Sequence, residues 1–408
     1  MHFGLTTLAL LCIGLVVFLR RKIWKRVFWL APMLMLAGLL VGCESFHAMT
    51  VSASSPTFLP ESKLAGLIQG LPDYAPFGYS GLAFYKDKLY ASTNVGLIEI
   101  IDGRPNGVYR FQNSDSVVSG PWLDTSDQLL WVLDDHANQL LNFDGGAWHR
   151  VNLPQPQKGD LTRGDVLEGP RPIGNALGFW LESGGSVSRW NQTKAAWATE
   201  PQPPPPAPPL PPSASWRESE TIGVLPIDQD LLFIERHASL AFLLRDDENF
   251  ESDTVVRWNS GSQEIRNDSG TKFFADNWAS ADGAAYICAT SGLLFRVTPQ
   301  AVTKVEAPGK CETLASTSSH TLLASFRSKG IYEYKRKWVL RAAHPYPSGT
   351  GDYWTYLSEN GSEIALAIVA KPVIDKQRSS GTNMKFTRNA PNGLWIYTGS
   401  EFHSVRIP

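Results

Sequence analysis

The chain has 408 residues, 43% of them hydrophobic and 19% charged, which is enough apolar material for a sizeable buried core. A formal net charge of −2, with no basic domain, argues against a nucleic-acid binder that relies on counterion release. Fourteen Trp call for broad apolar surfaces on which large rings can pack.

The N-terminus speaks to location. Phe3 to Leu19 is an uncharged apolar run, short for a membrane-spanning helix. Arg20-Arg21-Lys22 and Lys25-Arg26 follow, and then a second apolar run from Val27 to Gly42. That run ends in Leu40-Val41-Gly42-Cys43, which resembles the lipobox of bacterial lipoproteins. The resemblance implies a diacylated Cys43 thiol, cleavage before that residue and acylation of the new amine. Two or more acyl chains anchor stably where one is marginal. The alternative is a plain second transmembrane helix with an incidental Cys. Glu44 stands where the inner-membrane retention signal of Gram-negative bacteria has Asp, so the resemblance implies the outer membrane where one exists, facing the periplasm. The first apolar run either spans a membrane with its basic flank in the cytoplasm or precedes a true start near Leu19. Residues 1–43 are thus expected to form the signal or anchor, and 44–62, rich in Ser, Thr and Ala, a flexible tether. The segment KLAGLI (63–68) reads either as an extra strand closing the domain or as a short helix.

The stretch Leu89 to Gly103, LYASTNVGLIEIIDG, reads as two alternating strands joined by a turn at Asn94-Val95-Gly96 and ending in Asp102-Gly103. The pattern recurs. Positions matching Asp102 are Asp144, Asn191, Asn259, Thr298, Lys335 and Thr398, about forty residues apart except for longer intervals before Asn259 and Thr398. Most units carry an apolar run before the turn, such as LLWVLDD (129–135), AAYICAT (284–290) and IALAIVA (364–370). Seven all-β units of this length predict a seven-bladed β-propeller over 63–408.

Cysteines divide by compartment. Cys12 lies in the first apolar run and Cys43 in the lipobox-like site. The remaining pair, Cys288 and Cys311, is expected to form a disulfide in an exported domain; two separately buried thiols are the alternative.

Three segments interrupt the repeat: the Pro-rich 201–212, then 237–253 and 371–391. With strands lettered a to d from the axis outward, the first joins d to the next a, and the others join b to c. Connections of these classes leave one face of a propeller, so the three insertions are expected to share it, and loops on a rigid scaffold concentrate binding residues. Segment 371–391 is basic through Lys371, Lys376, Arg378, Lys385 and Arg388; segment 245–253 is acidic. Either is also an ordinary solvated charge run.

Candidate chemistry is sparse. Asp134-Asp135-His136, at a b–c turn, is the nearest thing to a metal or proton-transfer site, though such a trio more often caps backbone groups. His237, His320 and His344 are scattered. Trp278 and Trp354 fall near d–a junctions, where they either line the channel mouth or pack between blades. There is no GxSxG, HExxH, phosphate-cradling Gly loop or CxxC, so no catalytic residue, metal or cofactor is expected.

The stretch LYASTNVGLIEIIDG, through Tyr90, Thr93, Gly96, Leu97 and Asp102-Gly103, resembles the repeat of the two-component-regulator propellers, the periplasmic sensor domains of some bacterial hybrid histidine kinases. Asn392 to Gly399 matches in part. The resemblance implies a fold and a habit of binding ligands or partners, without a kinase or receiver segment in this chain. The expected function is a membrane-anchored envelope propeller that binds a protein or small ligand; the alternative is an enzyme acting on an envelope polymer or small molecule at the channel mouth. Cys43→Ser is expected to abolish incorporation of a palmitate analogue and to leave an unprocessed precursor. Metabolic labelling that still marks the substituted protein would reject the anchor.

Overall fold

The structure is a computed structural model that describes residues 56–408 apart from 73–75, 112–117, 125, 135–138, 154–170, 176–177, 184–185, 201–216, 228–229, 240–253, 259–263, 268–272, 290, 349, 375–385 and 389–391. Cys43, the signal segment and most of the expected tether lie outside the described residues. No described helix is long and apolar enough to cross a membrane.

The described chain opens with β1 (Thr57–Pro60), a 3-10 turn (Glu61–Lys63) and α1 (Leu64–Gln69). KLAGLI is therefore helical. Leu64, Leu67 and Ile68 fall on one helix face, and all three pack into an apolar cluster with the first strands. Strand β1 lies within the region expected to be tether.

Successive antiparallel meanders follow. The first comprises β2 (Tyr79–Tyr85), β3 (Lys88–Thr93), β4 (Gly96–Ile101) and β5 (Arg104–Arg110); the second β6 (Val118–Asp124), β7 (Leu129–Asp134), β8 (Gln139–Phe143) and β9 (Trp148–Val151). Next come β10 (Arg171–Asn175), β11 (Gly178–Ser183), β12 (Ser186–Asn191) and β13 (Ala196–Thr199), then β14 (Arg217–Ile227), β15 (Asp230–Ser239), β16 (Thr254–Trp258) and β17 (Glu264–Asn267). After them stand β18 (Phe273–Ala281), β19 (Ala284–Ala289), β20 (Leu294–Thr298) and β21 (Ala301–Val305), and β22 (Cys311–Ser316), β23 (Leu322–Phe326), β24 (Gly330–Tyr334) and β25 (Trp338–Ala342). The last sheet uses β26 (Tyr353–Glu359), β27 (Ile364–Ala370), β30 (Gly393–Tyr397) and β31 (Phe402–Val405). Between β27 and β30, β28 (Pro372–Ile374) and β29 (Phe386–Arg388) form a separate hairpin.

The expectation of seven blades is corrected by this sheet list, in which the four-stranded blades number six. Six sheets are four-stranded, while the sheet around Asp102 has five strands in the order β1-β5-β4-β3-β2, and a two-stranded hairpin stands apart. The repeat in the sequence reports only the inner meander. Strand β1 lies outside the repeat, so its addition to the edge of β5 leaves no periodic trace.

Strand chemistry follows position. The second strand of a meander is covered on both faces by neighbouring sheets, so it reads as an unbroken apolar run: every residue of β7, β19, β23 and β27 is buried. The fourth strands are far more open, as in β13 and β25. Each seam has its own apolar cluster; between the second and third sheets, Trp131 stacks on Phe179 with ring centroids 4.1 Å apart. Turn chemistry is equally local. Asp102 and Gly103 both take positive φ, 50° and 71°, as a type I′ hairpin turn requires. Gly96 and Gly330 open the third strands of their sheets at φ 126° and 136°, and a Cβ there would meet the Tyr109 or Ala342 carbonyl at about 2.5 Å.

The first and last sheets are neighbours through β2 and β26. Tyr79, Leu82 and Phe84 share a cluster with Ala365, Ala367 and Val369, and the Phe84 amide donates to Ser358 Oγ at 3.1 Å. The ring closes through side chains, with each sheet's inner four strands drawn from one continuous stretch of chain.

A covalent link crosses one seam. Cys288 in β19 is bonded to Cys311 in β22, with Cα atoms 5.7 Å apart and a sequence separation of 23. Closing a loop of that size in the unfolded chain stabilises the fold by about 3 kcal/mol. Replacing both residues with Ala is expected to lower the denaturation midpoint by a corresponding amount. An unchanged midpoint in chemical denaturation, against the oxidised wild type, would show that the bond carries no such weight.

Candidate functional site

The richest polar cluster among the described residues lies at the seam between the last two sheets. Glu312 is the second residue of β22, an inner strand, and its side chain is only 5% exposed. A carboxylate at that depth persists only with partners. Four converge on it. Arg327 Nε donates to Oε1 at 3.1 Å, and the Tyr353 hydroxyl donates to the same oxygen. Ser325 Oγ donates to Oε2 at 3.0 Å, and His344 Nε2 lies 3.1 Å from it. The other His344 ring nitrogen, Nδ1, lies 3.0 Å from the Tyr346 amide nitrogen and 2.9 Å from the Tyr346 carbonyl oxygen. The His344 side chain is fully buried.

The elements explain the convergence. Glu312 and Ser325 come from paired strands of one sheet, Arg327 follows the end of β23, His344 follows β25, and Tyr353 begins the next inner strand. The Arg327 guanidinium also lies over the Tyr353 ring, 4.4 Å from its centroid, a contact worth about 1 kcal/mol when partly desolvated. Burial by itself raises the Glu312 carboxyl, but the hydrogen bonds from His344 and Tyr353, with the His344 charge interaction and Ser325, outweigh it and hold the group below the ordinary range. Burial, then the bond to the Glu312 carboxylate, pushes the Tyr353 phenol upward.

Each Glu312 oxygen receives two partners, so its lone pairs are committed. This carboxylate is a structural hub and not a free base. Two further buried carboxylates are committed in the same way. Glu99 is held by Lys88, Tyr90 and Asn106, at 3.0, 2.9 and 2.6 Å, and Glu333 by Thr321, Lys335 and Arg341. No group of three or more His, Cys, Asp or Glu among the described residues has metal-binding geometry.

Next to the hub, the same end of β26 presents Trp354, 47% exposed, with the Lys371 ammonium 5.1 Å from its ring. The Lys371 amide donates to the Asp352 carbonyl at 2.8 Å, which pins the base of the 371–391 segment against this strand. Among the described residues, Trp354 is the sequence candidate that stands open with a cation over it, at the end of β26 beside the start of the 371–391 connection. Trp278 does the opposite: it sits partly buried against the apolar cluster of its seam with the preceding sheet and against Trp180, Val187 and Leu231 beyond it, after a register shift in β18. Asp134 ends β7 and is buried, while Asp135 and His136 lie outside the described residues. His237 lies in β15, opposite Ser219, and Arg388 in β29, opposite Pro372. Lys376, Arg378 and Lys385 lie outside the described residues. Sequence reading missed Glu312, Arg327 and Tyr353 as a group. The available signal was a Glu placed directly after Cys311 in a strand otherwise built to be buried.

No family model and no curated protein matches the chain. Among solved structures, it is similar to YCF48 from Cyanidioschyzon merolae, with 10% identity, 78% of this chain and 96% of the other covered, and a TM-score of 0.44. It is also similar to the β-propeller domain of the Trilobed protease from Pyrococcus furiosus, at 7% identity, 81% and 98% coverage and a TM-score of 0.45. A third is the extracellular domain of the putative hybrid two component system BT4673 from B. thetaiotaomicron, at 11% identity, 78% and 51% coverage and a TM-score of 0.27. At these identities and scores the likenesses carry no functional inference. The propeller assignment rests on the strand order itself.

Because the Glu312 carboxyl is depressed by its partners, the stability it contributes is present at neutral pH. It is lost as pH falls through the ordinary carboxylate range and below. Glu312→Gln is expected to cost roughly 2 kcal/mol at pH ~7, where Arg327 loses its counter-charge. It should also flatten the loss of thermal stability between about pH 5 and 3. A variant with wild-type stability at neutral pH, or an equally steep acid limb, would show that the hub is not what holds this seam.

Proposed function

We propose that the chain is an envelope β-propeller that binds a protein partner through the face bearing its long connections, and is held at a membrane by lipid on Cys43. The single observation that carries the binding face is topological. Residues 201–216 join β13 to β14, residues 240–253 join β15 to β16, and the segment containing β28 and β29 joins β27 to β30. In meanders whose strands alternate in direction, d–a and b–c connections leave from the same end. All three therefore start and finish on one face, where Trp354 and Lys371 also stand.

Chemistry on that face suits a charged protein surface. Lys376, Arg378, Lys385 and Arg388 make one connection basic, and Asp246, Asp247, Glu248, Glu251 and Asp253 make another acidic. The Cys288–Cys311 bond supports an oxidising compartment such as the periplasm. The lipobox-like Leu40 to Cys43 supports the anchor. The alternative of an enzyme at the channel mouth has no comparable support, since Glu312, a buried carboxylate at this end of its strand, is fully committed to structural donors.

Residues 373–389 lie outside the four-stranded ladder β26-β27-β30-β31. Replacing them with a short Gly-Ser turn changes closure entropy by only about 0.6 kcal/mol per doubling of loop length. The melting temperature is expected to stay within a few degrees of wild type, while recovery of partners from an envelope extract falls. Changing Lys376, Arg378, Lys385 and Arg388 to Glu is expected to reproduce that fall. Undiminished recovery by a stably folded deletion variant would remove this connection from the binding face.

A further inference from the structure

The outer edges of the sheets are not treated alike. On the first sheet, β1 lies antiparallel along β5, with Thr57 opposite Arg110 and Pro60 opposite Gly107. The corresponding outermost strand of the sheet β22-β23-β24-β25 is β25, and no strand among the described residues pairs with its outer edge. An open edge is normally blunted by charge, proline or a covering element. On β25 the opposite is found. Val339 and Leu340 are 39% and 53% exposed, adjacent on one strand, and the described residues include only two other exposed large hydrophobics. The charged residue of that strand, Arg341, is turned back onto the buried Glu333.

Charge gathers at the head of the strand instead. The exposed turn Lys335-Arg336-Lys337 leads into Trp338. Lys335 is paired with Glu333 at 3.0 Å, whereas Arg336 and Lys337 line a groove of about 630 Å³ with Arg296 and Lys304 of the preceding sheet. Tyr334 and Trp338 also line it, and a single carboxylate, Glu306, faces the four cations. The Trp338 indole N–H donates to the Glu306 carbonyl at 2.8 Å, which fixes the ring between the two sheets.

We propose that β25 is a docking edge for an extended acidic segment of a partner protein, which adds antiparallel to the sheet as β1 adds to β5. Main-chain hydrogen bonds along the open edge supply affinity, and side chains of alternate residues supply selectivity. Carboxylates on the segment pair with Arg336, Lys337, Arg296 and Lys304, and its apolar residues cover Val339 and Leu340. At the first sheet the added strand lies over Gly107, where a Cβ would meet the Phe58 ring and, at 2.5 Å, the Leu59 carbonyl. Val339 stands at the matching place opposite Glu333, so a strand on β25 lies farther out there than β1 does at Gly107 and carries a small residue where β1 carries Phe58. The edge lies on the outer rim of the ring, separate from the insertion-bearing face, so the two readings stand or fall independently.

The test uses the full-length chain and a fluorescein-labelled peptide in which Glu alternates with Val, followed by anisotropy. Two control peptides carry Lys in place of Glu, or a central Pro that cannot join the ladder. Saturable binding of the Glu–Val peptide is expected, with each control weaker by at least ~10-fold. Arg336→Glu with Lys337→Glu is expected to weaken the Glu–Val peptide by a similar factor at an unchanged melting temperature. Should that variant fail to fold, the two control peptides against the wild-type chain still decide. The variant shortened at 373–389 is expected to bind the peptide like wild type. Absence of Glu–Val binding, or equal binding of the Lys–Val peptide, overturns the proposal. So does concentration-dependent self-association that Leu340→Thr abolishes in a chain that ignores the peptide, because the edge then serves a second copy.

Discussion

Both faces of every sheet have to be covered by a neighbouring sheet, and most features of the molecule follow from that two-sided burial. A second strand such as IALAIVA in β27 has no polar face because neither of its faces meets water. The core is consequently divided into seam clusters instead of one central mass, each seam being filled by the side chains of two sheets. Broad rings suit such flat interfaces, and the Trp131–Phe179 stack shows how the Trp-rich composition is used. The same requirement makes the seam between the first and last sheets as important as any other, although the residues that fill it lie at opposite ends of the described chain.

Polar groups enter these seams only on strict terms. Glu99 and Glu333 occupy the same repeat position, three residues after Gly96 and Gly330, and each sits among hydroxyl, amide or cationic donors from adjoining strands. The two glycines and the two carboxylates thus form one local device used twice. The glycine lets the fourth strand's carbonyl approach, and the carboxylate ties second, third and fourth strands together. Glu312 performs the corresponding task across a seam, joining residues from two sheets. Such networks rigidify when complete and are costly when a single donor is missing.

What the sequence made legible was local. The hairpin at Leu89 to Gly103, the apolar second strands and the connection classes of the long loops all depend on short-range pattern, and the structure places strands at Lys88–Thr93 and Gly96–Ile101 accordingly. What escaped depends on chain partners far apart. Strand β1 carries no repeat signal, because its role is defined by the edge of β5 some fifty residues later. The helix over Leu64 to Gln69 was undecidable because six residues fit either period. Trp278 and Trp354 read alike, each near a d–a junction. A bulge in β18 turns one into the core, whereas regular pairing along β26 leaves the other on the rim. Arg327, His344 and Tyr353 meet at Glu312 only once two sheets have docked.

The way the ring closes has a kinetic side. Within each meander, contacts join residues a few positions apart, so a sheet assembles almost as soon as its own forty residues are available. The exceptions are the bonds between Phe84 and Ser358 and between Asn392 and the Phe77 carbonyl, which span 274 and 315 residues, together with the apolar side chains around them. As the chain is made from its N-terminus, the open flank of β2 stays bare until the last sheet exists. Tyr79, Leu82 and Phe84 form the surface that waits longest for its partner, and it is there that a nascent or partly opened ring is most exposed to a wrong one.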